Sequence, residues 1–195
     1  MHPETSSAPS SIVLDHPALD IDLRYATPDN LTRRRIYDRP VALLRPAAHR
    51  ALMVAADLAS AQGLRLRIFD AYRPVAAQWR LWNVLPDPTF VADPRIGSLH
   101  CRGIAVDLTL SAADGMPLDM GTAFDEMTPQ AAHGRTDIPL EGQRHRALLL
   151  GLMAASGWTH HPDEWWHYNL PDWDRYPPLR DEQDGRRLMD LPPAD

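Results

Sequence analysis

The chain has 195 residues, which is about the size of one domain with a substantial hydrophobic core. Hydrophobic residues make up 44% and charged residues 24%, a composition typical of an ordinary soluble globular protein. The formal net charge of -6 argues against a nucleic-acid partner, because such proteins usually carry a basic surface.

Cysteine content and the N-terminal segment indicate the compartment. Cys101 is the single cysteine, so the chain can form neither an intrachain disulfide nor a cysteine-rich zinc site. Residues 1–11 are rich in serine and proline, are predicted to be mobile, and lack the basic start and apolar run of an export signal. No stretch approaches the roughly 20 apolar residues that cross a membrane. We therefore predict a cytoplasmic protein without a membrane partner, whose domain spans residues 12–195; the oligomeric state stays open.

The first half of the chain contains the patterns of a helix, a strand and a second helix. Residues 47–62 repeat alanine and leucine at a four-residue spacing and stop at Gly63, which predicts a helix. Residues 64–69 alternate, with leucine and isoleucine on one face, and this predicts a strand with one buried side. Pro74 suits the first turn of a short helix that runs through Trp82.

The second half adds another strand, a third helix and an extended segment. Residues 104–110 place isoleucine, valine and two leucines on one face and Asp107 on the other, which predicts a second strand. Residues 144–156 are rich in leucine and alanine and end at Gly157, which predicts a helix, and residues 164–170 are predicted to be extended. Because strands and helices do not alternate regularly, the sequence favours an α+β fold.

The strongest local motif is Ser98-Leu-His100-Cys-Arg-Gly103-Ile-Ala105-Val-Asp107. Asp107 lies on the strand face opposite the apolar residues, and Gly103 permits a turn that brings His100 close to it. An imidazole and a carboxylate placed in this way are plausible ligands of one metal ion. The alternative is an edge-strand aspartate that accepts a turn hydrogen bond, with His100 on the surface.

A second motif, Glu164-Trp165-Trp166-His167-Tyr168, combines a candidate ligand with a candidate base. Histidine supplies a neutral nitrogen ligand, and a nearby glutamate can take a proton from an activated water molecule. Side chains alternate along a regular strand, so Glu164 and His167 share a site only if a bulge or bend lies near Trp165 or Trp166. The alternative is an aromatic core strand that carries a chance glutamate.

Together the two motifs match an open catalytic zinc site, with three ligands from two separated segments and one carboxylate that is not a ligand. They are not the helical H-E-x-x-H arrangement, which is absent from this sequence.

These and three further motifs together resemble the D-alanyl-D-alanine dipeptidases, within the wider zinc D,D-peptidase superfamily. The similarity runs from about Asp22 to Pro178. The additional motifs are Arg24-Tyr-Ala-Thr-Pro-Asp-Asn, Asp70-Ala-Tyr-Arg73-Pro and Met120-Gly-Thr-Ala-Phe-Asp125-Glu-Met. The resemblance implies a single small α+β domain, with a mainly antiparallel central sheet flanked by helices.

The resemblance also implies a zinc-dependent hydrolysis of the small dipeptide D-alanyl-D-alanine, with one zinc ion per chain. His100, Asp107 and His167 match the zinc ligands, and Glu164 matches the general acid/base. Arg73 matches an arginine that stabilises the tetrahedral intermediate, whereas its sequence context alone favours a surface ion pair with Asp70.

Three further residues match positions that bind the substrate in this family. Asp125 matches a residue that binds the free ammonium group, and Tyr25 matches a tyrosine of the substrate pocket. Ser98 matches a residue that contacts the other end of the dipeptide. His160 and His161 are predicted to have loop or supporting roles, although either could be an alternative ligand.

Two other functions remain open on the sequence. A D,D-carboxypeptidase would use the same zinc chemistry on longer cell-wall peptides, and it would need an open groove and an export route. A non-catalytic zinc module would bind a cell-wall peptide or a protein partner, but it would not need Glu164 or Arg73.

Overall fold

A five-stranded sheet with strand order β2-β4-β5-β7-β6 organises the fold. The structure is a computed structural model that describes residues 11–180, 182–183, 186–187, 189 and 191. Within these residues the strands are β1 (Ile12–Val13), β2 (Leu19–Ile21), β3 (Leu43–Leu44), β4 (Leu64–Asp70), β5 (Ala105–Ala112), β6 (Thr159–His161), β7 (Glu164–Asn169), β8 (Glu182–Gln183) and β9 (Arg186–Arg187). In the central sheet β2 runs parallel to β4, and the other neighbouring strands are antiparallel. The prediction of a small α+β domain with a mainly antiparallel sheet is therefore confirmed.

Three α-helices accompany this sheet in the described chain: α1 (Pro46–Ser60), α2 (Val75–Val84) and α3 (Leu140–Ala155). The first two agree with the predicted helices within a few residues. The third helix begins at Leu140, earlier than the predicted start at residue 144. Its first turn follows Pro139 and carries an exposed Leu140, so the buried apolar repeat that identifies a helix in sequence starts only later.

The alternation in β5 separates a core face from a polar face. Val106, Leu108 and Leu110 are completely buried and belong to the same hydrophobic cluster as residues of α1 and α3. Burying each such side chain contributes roughly 1.5–3 kcal/mol relative to leaving it exposed. Asp107 and Thr109 point to the opposite face, as the pattern predicts. Because the helices cover the apolar face, the functional groups gather on the other.

The predicted mobile segment of residues 1–11 lies outside the described residues except for Ser11. The assignment of residues 12–195 to one domain stays a prediction. In the part of the chain that the structure describes, no helix has both the length and the apolar character of a membrane span.

Gly103 makes the turn that connects the 3-10 helix His100–Arg102 to β5. Its φ of 68° lies in the left-handed region, which favours glycine. A Cβ atom at this position would lie 2.7 Å from Cδ1 of Leu179 and 3.5 Å from the backbone nitrogen of Arg45. The turn therefore favours glycine for its backbone freedom, and a Cβ atom would in addition displace the Leu179 side chain.

We expect Gly103→Ala to lower the melting temperature more than Gly63→Ala does. Gly63 has a similar φ of 71°, but a Cβ there would meet no atom within 4 Å, so it is a matched control for backbone strain alone. The additional displacement of Leu179 should cost about 1 kcal/mol, or a further ~3 °C in a chain of this size. Equal melting temperatures of the two variants in a thermal unfolding experiment would contradict this packing.

Candidate active site

Three ligand-type side chains from three elements converge in the interior. His100 lies in the 3-10 helix before β5, Asp107 lies on β5, and His167 lies directly opposite Asp107 on β7. Nδ1 of His167 is 3.0 Å from Oδ1 of Asp107 and 3.1 Å from Nε2 of His100. Nε2 of His100 is 3.3 Å from the same Asp107 oxygen. All three side chains are buried, so the arrangement is a compact donor cluster.

The chemistry of this donor set fits a zinc ion. Two ligands that each lie about 2.0–2.1 Å from a tetrahedral zinc ion are about 3.3 Å apart, which is close to the separations in the cluster. Nδ1 of His100 lies 2.7 Å from the carbonyl oxygen of Ala71. Because a carbonyl only accepts, Nδ1 carries the proton, and the lone pair of Nε2 faces the cluster.

The protonation states of the other two donors also suit a metal ion. Burial lowers the pKa of His167 to about 4, so the ring is neutral at physiological pH. Burial alone would raise the pKa of Asp107, but its interactions with His100 and His167 outweigh burial and hold that pKa below its usual value. Asp107 is therefore ionised, as a ligand must be.

Glu164 reaches the same cluster because β7 is irregular. His160 of β6 pairs with Tyr168, whereas the next residue, His161, pairs with Glu164, so the register shifts between them. This irregularity brings Oε2 of Glu164 to 3.8 Å from Nδ1 of His167, although the two residues would face opposite sides of a regular strand. The structure thus has the bend that a shared site requires.

The pKa of Glu164 is raised well above its usual value. Burial is the main cause, and the negative charges of Asp107 and Asp125 add to it. A buried carboxyl whose pKa is raised in this way, next to a possible metal ion, has the properties of a general acid/base.

Arg73 lies beside the donor cluster rather than on the surface. Its Nε donates to Oδ2 of Asp70 at 2.8 Å, and its Nη2 lies 3.4 Å from Oδ2 of Asp107. The ion pair with Asp70 exists, but it is buried, since Asp70 is 0% and Arg73 6% exposed. The guanidinium also lies over the ring of Tyr25, at 5.0 Å from its centroid. The prediction of a surface pair is therefore wrong, and the cation lies at the site.

Asp125 and Tyr25 form a second polar group in the same cavity. The hydroxyl of Tyr25 donates to Oδ1 of Asp125 at 3.1 Å, and the backbone N–H of Leu31 donates to Oδ2 at 2.9 Å. Burial, reinforced by the negative charge of Asp107, raises the pKa of Asp125 to about 7 in spite of the Leu31 hydrogen bond. A positively charged group placed beside Asp125 would therefore be favourable.

Ser98 lies two residues before His100, at the start of the turn that carries this histidine. Its hydroxyl oxygen accepts a hydrogen bond of 3.2 Å from the backbone N–H of His100. The side chain is buried and lines the cavity, so it has at least a part in orienting the histidine. Its contact with a substrate stays a prediction.

One cavity of about 190 Å³ unites all eight predicted site residues, which are Tyr25, Arg73, Ser98, His100, Asp107, Asp125, Glu164 and His167. Pockets for drug-sized ligands usually measure about 300–1,000 Å³, so this cavity suits a smaller molecule. Its apolar walls include Phe90, Met127 and Trp166.

His161 also lines this cavity, and its ring centroid is 5.7 Å from that of His167. The sequence could not place it there, because its position depends on the register shift between β6 and β7. Its neighbour His160 is exposed and packs edge-on against His133 instead. Cys101 is buried, and its backbone carbonyl accepts a hydrogen bond from Leu179.

Comparisons with known proteins identify the family of this chain. The Peptidase_M15 family, described as D-ala-D-ala dipeptidase, matches residues 11–182. A D-alanyl-D-alanine dipeptidase of Escherichia coli (strain K12) is 43% identical over 166 residues, which cover 85% of this chain and 86% of the relative. A D-alanyl-D-alanine dipeptidase of Enterococcus faecium is 32% identical over 179 residues, with 80% and 87% covered. A crystal structure of the D,D-pentapeptidase VanY in complex with Zn(II) has a TM-score of 0.44 at 18% identity, with 68% and 75% covered.

The family match defines the chain as a metallopeptidase, and the buried His/Asp/His group is a possible metal site. The chain belongs to the D-alanyl-D-alanine dipeptidase family, over nearly its whole length, which confirms the family that its motifs resemble. The cytoplasmic location and the absence of a nucleic-acid or membrane partner stay predictions.

We expect the protein to bind about one divalent metal ion per chain and His100→Ala to lose it. Removing a ligand should weaken binding by more than the 10- to 100-fold typical of outer-shell changes. Metal analysis of dialysed protein measures the effect directly. His160→Ala is the control, because this exposed histidine lies on the neighbouring strand outside the cluster. Full metal content in His100→Ala would show that the cluster is not the binding site.

Proposed function

We propose that the protein hydrolyses D-alanyl-D-alanine to two molecules of D-alanine, with one zinc ion held by His100, Asp107 and His167. The main support is the convergence of three side chains of metal-ligand type with a carboxyl of raised pKa, an arginine and a separate, partly buried carboxylate in one small cavity. Family membership adds the substrate class, because the similar proteins are D-alanyl-D-alanine dipeptidases.

Peptide hydrolysis needs a nucleophile that is available at neutral pH and a residue that moves protons. A zinc ion in the donor cluster would supply Lewis acidity, which lowers the pKa of a water molecule to about 7. Glu164 accepts the proton of the attacking water and delivers it to the departing amine. Its Oε2 lies 3.8 Å from Nδ1 of His167, so the carboxyl is close enough to the donor cluster to act on a water molecule there.

Arg73 stabilises the oxyanion that forms on the scissile carbonyl. Its Nη2 makes only a long contact of 3.4 Å with Asp107, whereas Nε and Nη1 are held at 2.8 Å by Asp70 and Gln78. The guanidinium is thus anchored at two nitrogens, and the third faces the cluster. A preorganised donor of this kind contributes about 3–4 kcal/mol to the transition state.

Asp125 binds the free ammonium group of the dipeptide, and the Tyr25 hydroxyl orients the carboxylate. This ion pair explains a preference for dipeptides, because a longer peptide has a neutral amide at the same position. Leaving this partly buried carboxylate without a positive partner would be unfavourable. Ser98 is proposed to contact the other end of the substrate.

The D,D-carboxypeptidase alternative differs in its substrate rather than its chemistry. A longer donor requires an open groove, whereas the cavity measures about 190 Å³ and contains the partly buried carboxylate of Asp125. An assay that compares free D-alanyl-D-alanine, L-alanyl-L-alanine and N-acylated D-alanyl-D-alanine separates the two. Faster cleavage of the acylated substrate would favour the carboxypeptidase.

We expect Glu164→Gln to retain zinc and to lower kcat about 10²- to 10⁴-fold, because the amide can neither accept nor deliver the proton. Metal analysis and steady-state kinetics on D-alanyl-D-alanine measure the two effects. Glu141→Gln is a matched control, since Glu141 lies on the exposed side of α3 in a surface pair with Arg144. Hydrolysis at the wild-type rate by the zinc-loaded Glu164→Gln enzyme would remove Glu164 from the mechanism.

Asp125→Asn should abolish most of the preference for a free N-terminus. We expect kcat/KM for D-alanyl-D-alanine to fall about 100-fold or more, because the neutral amide forms no ion pair with the ammonium group, while cleavage of the N-acylated dipeptide falls far less. The control is Asp137→Asn, which removes a surface carboxylate paired with Arg135. An unchanged ratio between the two substrates would rule out the ammonium role.

A further inference from the structure

Gln78 lies completely buried behind Arg73, near the start of α2. Its Oε1 accepts a hydrogen bond of 2.8 Å from Nη1 of Arg73. Its Nε2 donates a hydrogen bond of 2.7 Å to the backbone carbonyl of Ala92. The amide therefore connects the guanidinium with a different segment of the chain.

The two partners fix the orientation of this amide. A guanidinium has only donors, so it must meet the amide oxygen, and a carbonyl only accepts, so it must meet the amide nitrogen. A carboxylate would satisfy Arg73 but would place oxygen against oxygen at Ala92, and an apolar side chain would satisfy neither partner. Asp70 already neutralises the charge of Arg73, so a neutral amide oxygen holds the guanidinium without adding a second negative charge.

Ala92 belongs to a stretch that forms one wall of the cavity. Pro88, Thr89, Phe90, Val91 and Ala92 all line it. Residues 85–99 contain turns but no helix or strand, so their position depends on side-chain contacts instead of a backbone ladder. The Gln78 amide is one such contact, and it attaches the wall to the cation.

We propose that Gln78 is a positioning residue for hydrolysis, which sets the Arg73 guanidinium and the 88–92 wall at a fixed distance from each other. A substrate that packs against this wall then lies at a fixed position relative to the oxyanion donor, the Arg73 guanidinium. This inference rests on the proposed role of Arg73. Misplacement of a catalytic group by about 1 Å can cost about 100-fold in rate.

The test is a double-mutant cycle with Gln78→Met and Arg73→Lys on the zinc-loaded enzyme. Methionine keeps the length of glutamine and removes both hydrogen bonds. We expect Gln78→Met to lower kcat for D-alanyl-D-alanine about 10- to 100-fold in the wild-type background. In the Arg73→Lys background, where the guanidinium fork is already lost, it should lower kcat by less than ~3-fold.

The control is Gln143→Met, because Gln143 on α3 also donates its amide to a loop carbonyl, that of Ile138, outside the cavity. It should lower the melting temperature and leave kcat unchanged. Gln78→Glu is the second variant, in case Gln78→Met does not fold. It restores an acceptor to Arg73 but repels the carbonyl of Ala92, so KM should rise and kcat/KM should fall at least ~10-fold.

The outcomes separate the two proposals. Wild-type activity in Arg73→Lys would overturn the proposed role of Arg73. If Arg73→Lys loses activity but Gln78→Met has a wild-type kcat, only the inference on Gln78 is overturned. The same holds if the two substitutions lower kcat multiplicatively in the double mutant. Wild-type kinetics in Gln78→Glu would also overturn the inference on Gln78. So would a failure of both Gln78 variants to fold, because that result would assign Gln78 to stability.

Discussion

The antiparallel pairing of β5 with β7 is the constraint on which the site depends. In this register Asp107 lies directly opposite His167, and Val106 lies opposite Tyr168. Side chains alternate along both strands, so a slip of one residue would move His167 to the helix-covered face and leave Asp107 without its partner. The buried Tyr168 helps to set this register, because the same slip would move its side chain away from the helix-covered core face. Packing energy in the core thus fixes the position of the donor cluster.

The charges in the cavity make it suitable for a metal ion and for the ammonium group of the proposed dipeptide substrate. Three carboxyl groups line it, those of Asp107, Asp125 and Glu164, and Arg73 is the cation that lies among them. Arg73 is also paired with Asp70. Burial, reinforced by the negative charges of neighbouring carboxylates, raises the pKa of Asp125 and of Glu164. A divalent ion and an ammonium group would supply the missing positive charge, and neither would suit an apolar pocket.

The predictable parts of the fold are those with a repeated hydrophobic pattern and those that two site residues need in order to lie close together. The alternation over residues 104–110 gave both the strand and the outward direction of Asp107. The bend in β7 followed from the requirement that Glu164 and His167 share a site. By contrast, β6 has three residues, which is too short for a recognisable period, and the cavity position of His161 depends on it.

Gln78 shows a different limit of sequence reasoning. It lies in a helix whose composition is unremarkable, and its partner Ala92 contributes only a backbone carbonyl. No side-chain pattern records such a contact. The eight predicted site residues, which line one cavity, follow from specific family motifs, whereas the residues that support them are defined by distances alone.

Asp125 links the site to the rest of the fold through backbone strain. Its φ of 60° is unusual for a residue other than glycine and costs roughly 1–2 kcal/mol. On one side the carboxylate is held by Tyr25 and Leu31, about a hundred positions earlier in the chain. On the other side Arg146 of α3 anchors the surrounding segment through the carbonyls of Met120, Gln130 and Ala132 and the hydroxyl of Thr122. The strained conformation persists because Tyr25 and Arg146, which hold it from the two sides, are buried in the fold, so the proposed pocket for an ammonium group is formed before a substrate arrives.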